Sequence, residues 1–429
     1  MIKSRFKMHY IVLGLAFMLC FVACDTDDAN DDDSINDDID DDDDDDYDSH
    51  DANDDDSIDD DIDDDDDDDD DEEQLADYSG TLFALYDQDD YRTHFAKYTR
   101  QGWSLFPDIQ LDGIYLRDIQ YFSDFNKAYL VGGWPFGKST NGKICTFQEG
   151  TINCITLDQN DARCIDCLDE DHCVVGIADD LLHPGHYYEL ADGGTWVDNE
   201  ISDEIYMPSV YDVYLEDDGT LHIAGVYLKN YGTFGQWEPL FAEKTAEGFV
   251  LEDLSVIGDL YNMSLYKMRE IDDTIWLVGG NCNYYEPGHI PDNQAGFILQ
   301  QSAGGWIKED LPEVSDSWRV LDIRKIGDEL IAFGINFYNL ACNGVLLHKR
   351  DGVWQNATLP QNSEDDYQYL TSLYVDQNQI AWIGGAICPI GPYSFNSYLT
   401  SYDTEAITQH MGYPSTEYVV NYIDHWGSQ

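Results

Sequence analysis

The run Ile275-Trp276-Leu277-Val278-Gly279-Gly280 decides how this chain is read, because five others end in the same way. They are Tyr129-Leu130-Val131-Gly132-Gly133, Cys173-Val174-Val175-Gly176, Leu221-His222-Ile223-Ala224-Gly225, Leu330-Ile331-Ala332-Phe333-Gly334 and Ala381-Trp382-Ile383-Gly384-Gly385. Counted from the first glycine of each, the spacings are 44, 49, 54, 55 and 50 residues. A short apolar run bounded by glycine reads as a buried strand. A second mark recurs within the same period: a glycine turn followed closely by an aromatic, as in Gly102-Trp103, Gly194-Thr195-Trp196, Gly248-Phe249, Gly305-Trp306 and Gly352-Val353-Trp354. Glycine supplies the positive φ of a tight hairpin, and the aromatic that follows opens the next strand and packs between units.

Each period thus holds four antiparallel strands, a to d, and a repeat of this length is that of a β-propeller blade. Six full periods cover residues 112 to about 412. The leftovers at the two ends fit each other. Thr81–Tyr86, Thr93–Arg100 and Trp103–Phe106 read as strands b, c and d lacking an a, and Glu417–Asp424 reads as an a strand alone. The expectation for residues 78–429 is an all-β, seven-bladed propeller of four-stranded antiparallel blades, closed by pairing of its N- and C-terminal strands. Closure removes exposed sheet edges.

Of the 429 residues, 88 are Asp or Glu and 21 are Lys or Arg, for a net charge of -67. Residues 25–73 hold 34 of the acids and no base; residues 74–429 hold 54 acids and 18 bases, a net of -36. So acidic a surface excludes direct nucleic-acid binding, which needs basic groups for phosphate. Within the acidic tract, Asp28–His50 and Asp51–Glu73 are two copies of a 23-residue unit. Such a stretch lacks the apolar surface to offset ordering entropy and reads as a disordered tether over 24–77. Self-repulsion extends it, to roughly 160 Å at most. It contains no glycine, so it does not read as a structural calcium loop, and only weak Ca2+ association is expected.

Lys3, Arg5 and Lys7 precede an uncharged apolar run from Tyr10 to Ala23. Fourteen residues fall short of the roughly 20 that span a bilayer, so residues 1–23 read as a signal peptide. Phe21-Val22-Ala23-Cys24 resembles the lipobox of bacterial lipoproteins, with Phe21 in place of the usual aliphatic residue. The resemblance implies a diacylglyceryl group on Cys24, a lipid anchor in the membrane, and an extracytoplasmic place in a bacterial cell envelope, on the outer-membrane surface or in the periplasm.

Propeller b–c loops rise on one face. Here they are rich in aromatics and amides, and they carry the candidate ligand-binding residues: Trp134 and Phe136; Tyr231, Phe234 and Trp237; Tyr284, Tyr285 and His289; Phe337 and Tyr338; Tyr393 and Phe395. Exposed aromatic patches mark recognition surfaces; the same rings packed on one another would lid the channel instead. Eight cysteines follow Cys24, an even number that favours disulfides in an oxidising compartment: Cys145, Cys154, Cys164, Cys167, Cys173, Cys282, Cys342 and Cys388. Cys145 and Cys154 flank a c–d hairpin and suit a cross-strand bond. Cys282, Cys342 and Cys388 fall in three successive b–c loops and suit a staple between neighbours. Cys164, Cys167, His172 and Cys173 resemble a zinc knuckle, but His172 directly precedes Cys173 and breaks its spacing, so no metal is expected.

No serine elbow, zincin helix or phosphate loop is present. Asp192-Gly193-Gly194-Thr195-Trp196 resembles the Asp-box of sialidases and related propellers, one residue short before the threonine. That box is a structural turn. The sialidase site also uses an arginine triad, which spacing does not locate here. The paired glycines resemble those of kelch repeats without their Tyr and Trp offsets. The reading that follows is a membrane-tethered binding module for a glycan, a peptide or an envelope protein. Its alternatives are a propeller glycoside hydrolase or lyase, and a structural envelope lipoprotein with no small ligand.

Overall fold

The structure, a computed structural model, describes residues 81–87, 92–99, 102–122, 127–133, 142–157, 161–178, 185–191, 194–202, 204–229, 236–258, 262–281, 295–314, 317–338, 341–360, 366–389, 396–404, 406–410 and 418–425. Antiparallel strands dominate them, arranged as four-stranded meanders in chain order. The first group is β1 (Thr81–Asp87), β2 (Arg92–Thr99) and β3 (Gly102–Asp112). Next come β4 (Tyr115–Phe122), β5 (Lys127–Gly133), β6 (Lys143–Gln148) and β7 (Thr151–Thr156), then β8 (Asp161–Asp169), β9 (His172–Ala178), β10 (His186–Ala191) and β11 (Thr195–Glu200). They are followed by β12 (Ser209–Leu215), β13 (Leu221–Lys229), β14 (Gln236–Thr245) and β15 (Gly248–Leu251), and by β16 (Met263–Glu270), β17 (Ile275–Asn281), β18 (Phe297–Ser302) and β19 (Gly305–Lys308). The last are β20 (Trp318–Ile326), β21 (Glu329–Tyr338), β22 (Ala341–Arg350) and β23 (Val353–Ala357), then β24 (Asp366–Val375), β25 (Ala381–Pro389), β26 (Asn396–Tyr402) and β27 (Ile407–His410), and finally β28 (Tyr418–His425).

β28 completes the first group, giving the order β28-β1-β2-β3, with Thr81 opposite His425 and Asp87 opposite Tyr418. The two ends of the chain therefore share one sheet, as their leftover strands foretold. One feature departs from separate blades. β16–β19 and β20–β23 form a single eight-stranded sheet, joined by one bridge between Gly280 and Arg319. A Cβ on Gly280 would press on the Arg319 backbone, so glycine there lets the two strands meet.

The first strands of the meanders form a closed ring: β4 touches β8, and contact continues through β12, β16, β20, β24 and β28 back to β4. The arrangement is that of a propeller. Each first strand carries a β-bulge at the same place, at Arg117, Arg163, Tyr211, Tyr266, Leu321, Thr371 and Asn421. The glycine that closes the apolar run of the second strand lies opposite: a Cβ on Gly132, Gly225, Gly279, Gly334 or Gly385 would collide with the carbonyl oxygen of Tyr115, Ser209, Ser264, Arg319 or Tyr369. The repeated glycine is thus a clearance for the bulged neighbour. In β9 the register differs by one, and Gly176 faces Cys164.

The core lies between meanders. Aromatics that open three of the fourth strands pack on the preceding unit: Trp196 on Tyr129 at 5.4 Å, Phe249 on Tyr187 at 5.6 Å, and Trp306 on Phe241 at 5.3 Å. Trp103 does the same through Phe83, which meets Trp382 of β25. These edge-to-face contacts add to the area they bury.

Candidate ligand-binding site

Just after the bulges, Asp118, Cys164, Asp212, Asp322 and Ser372 are buried, and Lys267 is partly so. Several of these clip the following strand. Asp118 accepts a hydrogen bond from Ile165 N at 3.2 Å, Asp212 from Met268 N at 2.6 Å, and Ser372 from Ile423 N at 2.9 Å. Asp166, two residues beyond its bulge neighbour Cys164, accepts from Leu215 N at 2.7 Å and Cys167 N at 3.0 Å. Among these carboxylates sits Lys267, with Nζ 2.7 Å from Asp212 and 3.4 Å from Asp118. Beside it Arg269 grips Asp322 through two nitrogens, at 2.9 and 3.0 Å. Burial pulls the Lys267 pKa down, but Asp118 and Asp212 outweigh it and hold the ammonium charged. Burial also pushes Asp322 up, yet Arg269 and Arg324 outweigh it and keep it ionised. Burial raises Asp212, and it raises Asp166 to about 6. This inner tier ties β4, β8, β12, β16 and β20 to one another around the ring.

The bulged residues themselves form a second tier at the b–c end, since Tyr115 at the start of β4 lies opposite Gly133 at the end of β5. Arg117 and Arg163 both approach the Asp161 carboxylate, at 3.7 and 2.9 Å, and remain 23% and 29% exposed. Burial, and then the adjacent Arg163 guanidinium, lower the Arg117 pKa. Arg117 Nε is buried without a hydrogen-bond acceptor. Each guanidinium of this tier stands against a tyrosine: Arg117 over Tyr115 at 4.6 Å, Arg163 over Tyr211 at 5.9 Å, and buried Arg319 over Tyr266 at 4.8 Å. Tyr211 and Tyr266 stack in parallel, with centroids 5.5 Å apart. Arg319 donates to the Tyr266 hydroxyl at 3.0 Å, which donates to the Asn281 carbonyl at 2.6 Å. Such contacts fix the guanidinium planes before any ligand arrives.

Seven of the 18 basic residues in 74–429 lie on β4, β8, β16 and β20, inside an otherwise acidic domain. Of these, Arg117, Arg163 and Arg319 lie in the upper tier, while Lys267, Arg269 and Arg324 lie among the inner carboxylates. At the opposite end, a cleft of about 390 Å³ is lined by Arg269, Asp272, Arg324, Lys325 and Tyr374. Its charges are already paired, Lys325 with Asp272 at 2.7 Å and Arg324 with Asp322 at 3.4 Å. The mouth is therefore the better candidate.

Trp134, Phe136, Tyr231, Phe234, Tyr284, Tyr285, His289, Tyr393 and Phe395, expected to bind ligand, lie outside the described residues. Trp237 is half-buried on β14, opposite Leu228. Phe337 and Tyr338 belong to a strand rather than a loop, opposite Cys342 and Ala341, because β21 and β22 stay paired nearly to their turn. Cys145 is bonded to Cys154 as expected. Cys167 is bonded to Cys173, so these sulfurs are not zinc ligands. Cys164 corrects the disulfide expectation: it is a buried free thiol, facing a glycine that offers no sulfur. Cys282 lies outside the described residues, as do the side chains of Cys342 and Cys388 on β22 and β25.

The arginines of the mouth were missed in the sequence. Each follows an apolar residue near the start of its first strand, Arg117 after Leu116 and Arg163 after Ala162, but only the strand pairing marks them as bulged.

No known family profile matches the chain, and no curated protein sequence matches it. Solved structures do. A prolyl endopeptidase is 13% identical with a TM-score of 0.44, covering 81% of this chain and 50% of its own, so the chain spans half of that protein. A PL25 ulvan lyase is 10% identical with a TM-score of 0.46, covering 78% and 90%. A functionally unknown protein from Desulfotomaculum acetoxidans is 10% identical with a TM-score of 0.44, covering 82% and 99%.

Proposed function

We propose that this chain is an extracytoplasmic recognition module, anchored by lipid on Cys24, spaced from the membrane by residues 24–77, and binding its ligand at the b–c mouth of a seven-bladed ring. The eight-stranded sheet counts as two blades sharing one bridge. The observation that carries the reading is the mouth itself: partly buried Arg117 and Arg163, each set against a tyrosine, beside the stacked Tyr211 and Tyr266. Donor groups held in place by their neighbours bind with little ordering entropy to lose. The Cys145–Cys154 and Cys167–Cys173 disulfides support an oxidising compartment.

The test is an array of neutral and charged glycans and peptides probed with the full chain, alongside Tyr211→Ala and Tyr266→Ala. A ligand bound by the parent and lost from both variants supports the mouth. Binding that survives both changes, or an array with no ligand at all, rejects it.

A further inference from the structure

We infer that the cleft at the other end of the ring is a second binding site. Its ligand is a small zwitterion, an amino acid or dipeptide with both ends unblocked, whose carboxylate is taken by Arg324 and whose ammonium is taken by Glu270. The site is separate from the mouth, and the recognition reading above does not depend on it.

The cleft lies where three successive first strands run out. Glu270 closes β16, Arg324 stands near the end of β20, and Val375 closes β24. Its volume, about 390 Å³, falls at the small end of the roughly 300–1,000 Å³ of ligand pockets. The ion pairs here balance charge without using up the hydrogen bonds. Asp322 accepts from Ile323 N at 2.8 Å and from Arg269 Nε at 2.9 Å, and its other oxygen accepts from Arg269 Nη2 at 3.0 Å. With Arg269 seated on that carboxylate as a fork, Arg324 Nε stands back at 3.4 Å. This Nε is buried without an acceptor, and no described residue accepts a hydrogen bond from either Nη of Arg324. The Arg324 side chain is still 34% exposed. A guanidinium so placed suits a carboxylate that takes two parallel hydrogen bonds from it.

Glu270 is the counterpart. The Tyr214 hydroxyl donates to its Oε2, while its Oε1 accepts from no described residue and the side chain is exposed. One cleft thus presents an open donor and an open acceptor. Lys325 does not compete for the carboxylate, because its ammonium already lies 2.7 Å from both oxygens of Asp272. Asp272 and Asp376 also line the cleft, so a multiply charged anion meets repulsion that a ligand carrying its own ammonium does not. Ile271, Tyr374 and Val375 add apolar wall, which suits an aliphatic or aromatic side chain on the ligand.

The experiment titrates the full chain by isothermal calorimetry with leucine, phenylalanine, leucyl-leucine and leucyl-phenylalanine, and with the C-terminal amide and the N-acetyl form of each. The protein variants are Arg324→Ala, Arg324→Lys and Glu270→Gln, with Glu247→Gln on the β14–β15 turn as a control for the loss of one acid. Each is checked for an unchanged melting transition. The expected result is binding of at least one unblocked ligand, weakened tenfold or more by either block. Arg324→Ala should weaken the unblocked ligand by a similar factor and bind the acid and its amide alike. Arg324→Lys keeps the charge but loses the fork, so it falls between. Glu270→Gln should bind the N-acetyl form and the unblocked amine alike, and Glu247→Gln should match the parent. Blocked forms bound as tightly as unblocked ones by the parent protein, a comparison that needs no variant to fold, overturn the zwitterion assignment. An amide penalty that survives in Arg324→Ala overturns the role of Arg324, and no binding by any of the four overturns the site. The mouth is judged apart from all of these, by the array and its Tyr211→Ala and Tyr266→Ala variants.

Discussion

Lys267 on β16 brings its ammonium within 3.4 Å of the Asp118 carboxylate on β4, 149 residues earlier in the chain, passing β8 and β12 to do so. The same nitrogen lies 2.7 Å from Asp212. Removing one member of a buried charge group leaves its partners uncompensated, at a cost of about 3–5 kcal/mol. Lys267→Met is expected to fall in that range by chemical denaturation. Lys267→Met combined with Asp212→Asn should recover part of the loss, because one of the stranded charges is then gone.

The clearance glycines give a sharper comparison. Gly334→Ala places a methyl against the Arg319 carbonyl, where only backbone can give way. A loss of about 1–3 kcal/mol is expected from such overpacking. Gly304→Ala meets nothing but the edge of Ser302 at 4.0 Å and should stay within about 0.5 kcal/mol of the parent. Equal midpoints for the two in urea would dismiss the role given to the glycines.

Stability should carry a pH signature from Asp166. Its folded pKa, about 6, lies above the ordinary 3.8. Between those values the folded state binds more protons than the unfolded state, so this group's contribution falls as pH rises through 6. Melting curves at pH 5 and pH 7.5 should show a smaller difference in Asp166→Asn than in the parent. An identical difference would place the titration elsewhere.

Thiol chemistry separates the cysteines. Peptide mapping without reductant should recover Cys145 joined to Cys154 and Cys167 joined to Cys173. Cys164 should resist alkylation until the protein is denatured, because it is buried and burial raises its pKa. Cys154→Ser, which opens a short loop, should cost about 2–3 kcal/mol.

Deleting Tyr418–His425 should expose the β1 edge from Thr81 to Asp87. The shortened protein is expected to self-associate in light scattering while a Gly304→Ala control does not.

The strand pattern was legible because its marks are local. Gly-Trp and Gly-Phe pairs announced where Trp196, Phe249 and Trp306 would meet the neighbouring unit, and the end strands announced their union. Arg117 and Arg163 were not legible, because a bulge is defined by pairing with another strand. Nothing in Leu116-Arg117-Asp118 alone says which residue leaves the ladder. The Gly280–Arg319 bridge was hidden for the same reason. Phe337 and Tyr338 were read as loop from their aromatic and amide company, whereas the hairpin they join simply runs longer. Cys164 looked like a half-cystine by parity, a count that is blind to what stands across the sheet.

The union of β28 with β1 also sets a schedule. A ribosome releases β1 early and β28 after every other described strand, so the first sheet waits through the whole of translation for its missing member. Intermediate chain lengths are all open rings with a bare flank, vulnerable to proteases and to one another. Whatever covers the β1 edge over that interval delays wrong pairing until the last strand docks.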